Sequence, residues 1–176
     1  MIKSSLSAFV LTNLLFVSSL VAQDQHKFDE TPGCGLPEVK FDVKTEKGQH
    51  SAKSDAGKAL VYFIEDDSNF AQLPRPTTRV GVDGTWVGAN HGNSYFQINI
   101  DPGVHHICAS WQSSIPWNRG KPFAAHFTAV PGAVYYFEIR NYAGESGYRL
   151  DFVPIDSDEG RLLANRFSYS NFSQKK

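Results

Sequence analysis

From residue 58 onward, apolar and polar positions alternate with a period of two, and no 3.6-residue period appears until near the C-terminus. In "KALVYFIED" (58–66), Ala59, Val61 and Phe63 face one way and Leu60, Tyr62 and Ile64 the other. Both faces are apolar, which predicts a central strand covered on both sides. "SYFQINI" (94–100) sets Phe96, Ile98 and Ile100 on one face against Tyr95, Gln97 and Asn99. "VHHICASWQ" sets Ile107, Ala109 and Trp111 against Val104, His106, Cys108 and Ser110. Further strands are expected in "KPFAAHFTAV", in "AVYYFEIRNY" (Tyr135, Phe137 and Ile139 aligned) and in "GYRLDFVPI" (Tyr148, Leu150 and Phe152 aligned), with a short one in "FDVKT".

Turn chemistry separates these runs. Asp83-Gly84 between "RVGV" and "TWVG" predicts a type I′ hairpin, because both central residues need positive φ. Asp101-Pro102-Gly103 and Pro131-Gly132 are turn signals of the same kind. Seven to eight strands at this spacing predict an all-β, antiparallel sandwich. The one helical pattern is "SDEGRLLANRF" (157–167), with Asp156 or Ser157 as N-cap, Glu159 placed for a capping box, and Leu162, Leu163 and Phe167 facing the open end of the sheets. The tail 168–176 is polar and is expected to fray.

The first 22 residues have the basic start, apolar run and small-residue end of a secretory signal peptide, with cleavage expected after Ala22. The apolar run is short for a span, which needs about 20 residues, so no stable membrane insertion is expected once it is removed. Residues 23–56 read as an irregular arm and linker, and 57–167 as the folded domain. The mature chain of roughly 150 residues is one domain by length. It can bury about 68–70% of its unfolded surface without a metal or a mesh of disulfides.

With 17 Lys and Arg against 18 Asp and Glu, the formal net charge is −1. Nucleic acid is not an expected partner, since no basic patch stands out. The two cysteines, Cys34 and Cys108, read as one disulfide in an oxidising compartment, periplasmic or secreted. Two isolated cysteines lack the close spacing of a zinc site.

"GKALVYFIED", "VDGTWVGANHGNSYFQINIDPGVHHICASW" and "AVPGAVYYFEIR" together resemble a family of small exported bacterial β-domains of unknown function, many of them lipoproteins. The shared pattern is a K-A-L-V-Y strand, an aromatic strand ending in D-P-G-x-H, and G-x-x-Y-Y-F after a turn. The resemblance covers roughly residues 57 to 156. The D-P-G-x-H hairpin is also similar to PEGA-type and transthyretin-like sandwiches. The resemblance implies a structural β-domain and no enzyme activity, cofactor or catalytic residue. This chain lacks the lipid-bearing cysteine of the lipoprotein members.

Candidate chemistry is sparse. His105 and His106 point to opposite faces of one strand, so one metal cannot be held by both from that strand, and no H-x-H or H-E-x-x-H spacing occurs. His91 and His126 can join a site only through the fold. No G-x-S-x-G elbow is present. Asp66-Asp67 and the acids at 156–159 read as solvated strand and helix ends. No catalytic residue, metal ligand or cofactor is assigned.

If each strand reverses the one before it, the tight turns gather at one end. Connections 67–78, 89–93, 113–122 and 141–146 gather at the other, where extra loop length tends to carry function. This predicts a ligand-binding end built from Phe70, Arg75, Asn90, His91, Trp117, Asn118, Arg119 and Tyr142. The expected function is a non-enzymatic, exported interaction or envelope-associated module whose partner is an envelope protein or a glycan. The alternative is a carbohydrate-binding module using the loop aromatics, Trp117 above all. A hydrolase or metal-dependent enzyme is the third class.

Overall fold

The computed structural model describes residues 33–48, 50, 52–70, 74–112, 122–144 and 147–176. Among these residues the chain forms ten strands and one helix: β1 (Phe41–Glu46), β2 (Ala59–Asp66), β3 (Thr77–Val82), β4 (Thr85–His91), β5 (Ser94–Ile100), β6 (Gly103–Trp111), β7 (Phe123–Ala129), β8 (Val134–Gly144), β9 (Gly147–Ile155), α1 (Ser157–Arg166) and β10 (Ser168–Gln174). They build a two-layer sandwich, with a six-stranded sheet in the order β1-β10-β5-β2-β8-β9 facing a four-stranded sheet in the order β4-β3-β6-β7. The all-β sandwich with one short C-terminal helix is the expected class. Most neighbours are antiparallel, but β2–β8 and β10–β5 are parallel: strand reversal runs β2 and β8 the same way, whereas β10 runs like β9 because α1 carries the chain back between them.

The period-two faces lie where the pattern put them. Val61, Phe63, Phe96, Val80, Ile107, Ala109, Phe137, Ile139 and Phe152 fill the space between the sheets. Close approach of the layers requires Gly88, where an added Cβ would stand 2.6 Å from Cζ of Phe96. The opposite face of β2 is covered as well: Leu60, Tyr62 and Ile64 join Tyr95, Tyr136, Ala164 and Phe167 in a second apolar cluster. The helix therefore lies on the outer face of the six-stranded sheet rather than closing the open end, and Leu162 remains exposed. Asp156 is its N-cap, accepting hydrogen bonds from the N–H groups of Asp158 and Glu159.

Asp83 and Gly84 both take positive φ, 48° and 79°, as a type I′ hairpin requires. The turn is locked by His105, whose Nδ1 lies 2.6 Å from Oδ2 of Asp83 and whose Nε2 lies 2.7 Å from the carbonyl of Asp101. The side chains of His105 and Asp83 thus join two adjacent turns.

Cys34 and Cys108 form the expected disulfide, with Cα atoms 5.1 Å apart. It pins the N-terminal arm across the outer face of the four-stranded sheet. Trp86 Nε1 donates to the Leu36 carbonyl at 2.8 Å, Arg79 donates to the carbonyls of Pro37 and Val39, and the guanidinium lies 4.2 Å from the Trp86 ring centroid.

The polar tail does not fray: it is β10, paired antiparallel with β1 and parallel with β5. The reason lies in burial that its composition hides. Ser170 is enclosed and donates to Asn90 or Ser94 at 2.8 Å, and Phe172 packs edge-on against Phe41 and Phe96. The expected signal peptide, residues 1–22, lies outside the described residues. No helix among the described residues is long and apolar enough to cross a membrane.

Candidate functional site

The strands alternate ends as expected. One end carries the turns 83–84, 101–102 and 130–133, and the other carries the connections 67–76, 92–93, 112–122 and 145–146. Two of the four connections expected to be long span only two residues between paired strands. β4 continues to His91, where Gly92 takes φ of 68°, and β8 continues to Gly144. Both strands run on through polar sequence because the polar side chains there are paired inside the protein. Asn90 and Tyr142 are strand residues, not loop residues, and His91 ends β4.

At this end the inward rows of the strands change from apolar to polar. After Phe63 comes Glu65, after Val80 (read backward along β3) comes Thr78, after Ile139 comes Asn141, and after Ala109 comes Trp111. These four side chains and Asp67 form one buried network. Asn141 is the hub: its Nδ2 donates to Glu65 Oε1 at 2.5 Å and to Asp67 Oδ1 at 2.7 Å, and its Oδ1 accepts from Trp111 Nε1 at 2.8 Å. Thr78 donates to Glu65 Oε1 at 2.7 Å. The Asp67 N–H donates to Oδ1 of Asn93, which ties the network to the 92–93 turn. Beside it, Asn90 donates to the Phe63 carbonyl, and Ser170 bridges Asn90 and Ser94.

Glu65 and Asp67 are both 0% exposed, and among the described residues Glu65 Oε2 and Asp67 Oδ2 have no hydrogen-bond partner. Burial, followed by the neighbouring Asp67 carboxyl, pushes the Glu65 pKa well above the usual carboxylate range, against the pull of Thr78 and Asn141. Burial also raises that of Asp67, opposed by Asn141, Arg75 and His91. Two carboxyls in one dry site cannot both ionise cheaply, so burial and mutual repulsion disfavour the doubly ionised pair. Asp67 is thus not the solvated strand end expected of it; only its neighbour Asp66 is partly exposed, accepting from the Ser68 N–H. The signal for Glu65 was present in the sequence: it continues the Val61, Phe63 row of a strand buried on both faces.

Of the eight residues expected to contact a ligand, the structure gathers Arg75 and His91 at the rim over this network. The Arg75 side chain lies over Gly92, and His91 Nδ1 is 3.3 Å from Thr77 Oγ1. Phe70 is buried in the core, its ring 6.0 Å from that of Trp111 and edge-on to it. Asn90 is buried and structural. Tyr142 is half-buried, with the Arg149 guanidinium 4.7 Å from its ring centroid. Trp117, Asn118 and Arg119 lie outside the described residues. No group of three His, Cys, Asp or Glu side chains that could hold a metal ion occurs among the described residues. No protein-family model, curated protein or solved structure matches the chain.

Proposed function

We propose that this chain is an exported, non-enzymatic β-sandwich module that docks an envelope protein at the end carrying connections 67–76 and 112–122. The observation that carries this reading is the buried Glu65–Asp67–Thr78–Asn141–Trp111 network. It ties β2, β3, β6 and β8 together beneath the rim, so Arg75 and His91 stand on a rigid floor. A rigid scaffold presenting variable connections is a common design for recognition. The disulfide supports an oxidising compartment, and the resemblance to exported β-domains points the same way. A glycan would need a row of exposed rings. The described rings at this end, Phe70, Trp111 and Tyr142, are respectively buried, buried and faced by Arg149, which favours a protein partner.

Site-specific photo-crosslinking in the exporting cell tests the proposal. A benzophenone amino acid at position 75 or 91 is expected to yield an adduct of defined mass, and one at position 57 or 132, on the opposite end, is expected to yield none. Equal labelling from both ends, or none from either, would overturn it.

A further inference from the structure

The fold brings together two histidines that are 20 residues apart in sequence, His106 on β6 and His126 on β7, as directly opposed cross-strand partners. The backbone of His106 is committed to the other side. Its N–H donates to Oδ1 of Asp83 and its carbonyl accepts from the Asp83 N–H, each at 2.8 Å. Since N–H and C=O of one strand residue point the same way, His106 and His126 form a non-hydrogen-bonded pair, the class in which facing side chains stand closest, with Cα atoms about 4.5 Å apart. Both side chains are exposed, on the face away from the core, and their ring centroids lie 6.3 Å apart at 50°. The flanking positions on this face of β7, Ala124 and Thr128, are small. The carboxylate of Asp83 beside His106 adds a negative charge that favours a cation.

We propose that His106 and His126 chelate one divalent late first-row transition-metal ion such as Zn(II), with water in the remaining positions. Imidazole nitrogens suit these ions. Binding one nitrogen from each ring at about 2.0–2.1 Å draws the rings slightly closer than they stand, which rotation about their own side-chain bonds supplies. β7 is the edge of the four-stranded sheet, so the chelate would also clip that edge strand to β6. His105 takes no part: it faces the opposite way and is held by Asp83 and Asp101.

Titrating metal-stripped, disulfide-intact protein with ZnCl2 by calorimetry tests this. One site per chain is expected. His106→Gln and His126→Gln should each weaken it on the order of 10²-fold, because the second nitrogen binds intramolecularly. The double variant should lose the residual binding that each single one keeps, and His26→Gln and His50→Gln should leave the affinity unchanged. In the unsubstituted protein, the ring-proton signals of His106 and His126 should shift together and saturate at the same Zn(II) concentration. An affinity unmoved by either substitution, or ring signals that saturate separately, would overturn the proposal.

Discussion

Glu65 is the residue whose chemistry departs furthest from its surroundings. It occupies a core position on a fully covered strand, between the apolar row it continues and the polar layer that ends it. Its raised pKa means that the native protein keeps a proton that the unfolded chain releases near pH 4.3, the ordinary value for glutamate. Where the native state binds more protons than the unfolded one, stability falls as pH rises. This contribution is fully present below the unfolded value and is lost as pH climbs through the folded one. Asp67 acts in the same sense, moderated by Arg75 and His91 facing it and reinforced by Asp66. Glu65→Gln keeps the oxygen that accepts from Thr78 and Asn141 and removes the ionisation. The variant is expected to flatten the decline in urea midpoint that sets in above the unfolded value and to be the more stable protein once the pH exceeds the native one. The gain should be about 1.4 kcal/mol for each unit by which the native value is raised. A variant whose midpoint falls with pH as steeply as the parent's would show that Glu65 is ionised in the native state. Reading Glu65 as an ordinary strand-end acid is natural in the sequence, because charge type and strand phase give opposite answers there and only the three-dimensional neighbours decide between them.

Among elements, α1 shows how a local rule can be overridden by packing. Glycine within a helix costs about 1 kcal/mol relative to alanine, so Gly160→Ala would stabilise an isolated α1. In the protein, an alanine Cβ at 160 would meet Tyr136 near the root of its side chain, at 2.7 Å or less from its Cβ, Cγ and Cδ1. Tyr136 is itself stacked on Tyr62, centroids 4.9 Å apart, so it cannot swing aside. Overpacking of this kind costs about 1–3 kcal/mol, and Gly160→Ala is expected to lower the urea midpoint despite its better helix propensity. A raised midpoint would mean that α1 sits more loosely on the sheet than the contacts indicate. The existence of α1 and its Asp156 cap were legible because capping and a 3.6-residue pattern are local. Its docking face was not: the run Leu162-Leu163 is apolar on adjacent sides, and only the outer apolar row of β2, waiting for cover, identifies Leu163 and Ala164 as the buried side. β10 was hidden for the complementary reason. Its stability comes from partners that are distant in sequence, Asn90, Ser94, Phe96 and Phe41, and "SYSNFSQ" carries no sign of them.

At the scale of the whole molecule, a shared apolar core joins the two sheets, and one disulfide with a small set of arm contacts straps the arm to the four-stranded one. The turns named the hairpins and the alternation named the inner faces, because both follow from φ and from side-chain parity. Strand order across the two sheets, and the parallel β2–β8 and β5–β10 junctions, depend on which apolar rows complement each other in space, which parity does not encode. The arm depends least on pattern. Arg79 and Trp86 read as scattered polar and aromatic residues, yet they hold the carbonyls of residues 36, 37 and 39 against β3 and β4, and Gln112 brackets the backbone of Phe41 from the other side. The disulfide closes a loop with a sequence separation of 74, for which chain entropy predicts a contribution of roughly 4 kcal/mol. The arm contacts predict something more specific than a uniform loss. Cys34→Ser with Cys108→Ser should lower the unfolding midpoint. Hydrogen exchange should then rise first at the arm and at β1, whose antiparallel neighbour is only the terminal strand β10, while the amides of β2 and β8 stay protected until global unfolding. Exchange that rises evenly over both sheets would mean that the arm is integral to the sandwich core rather than a strap laid across it.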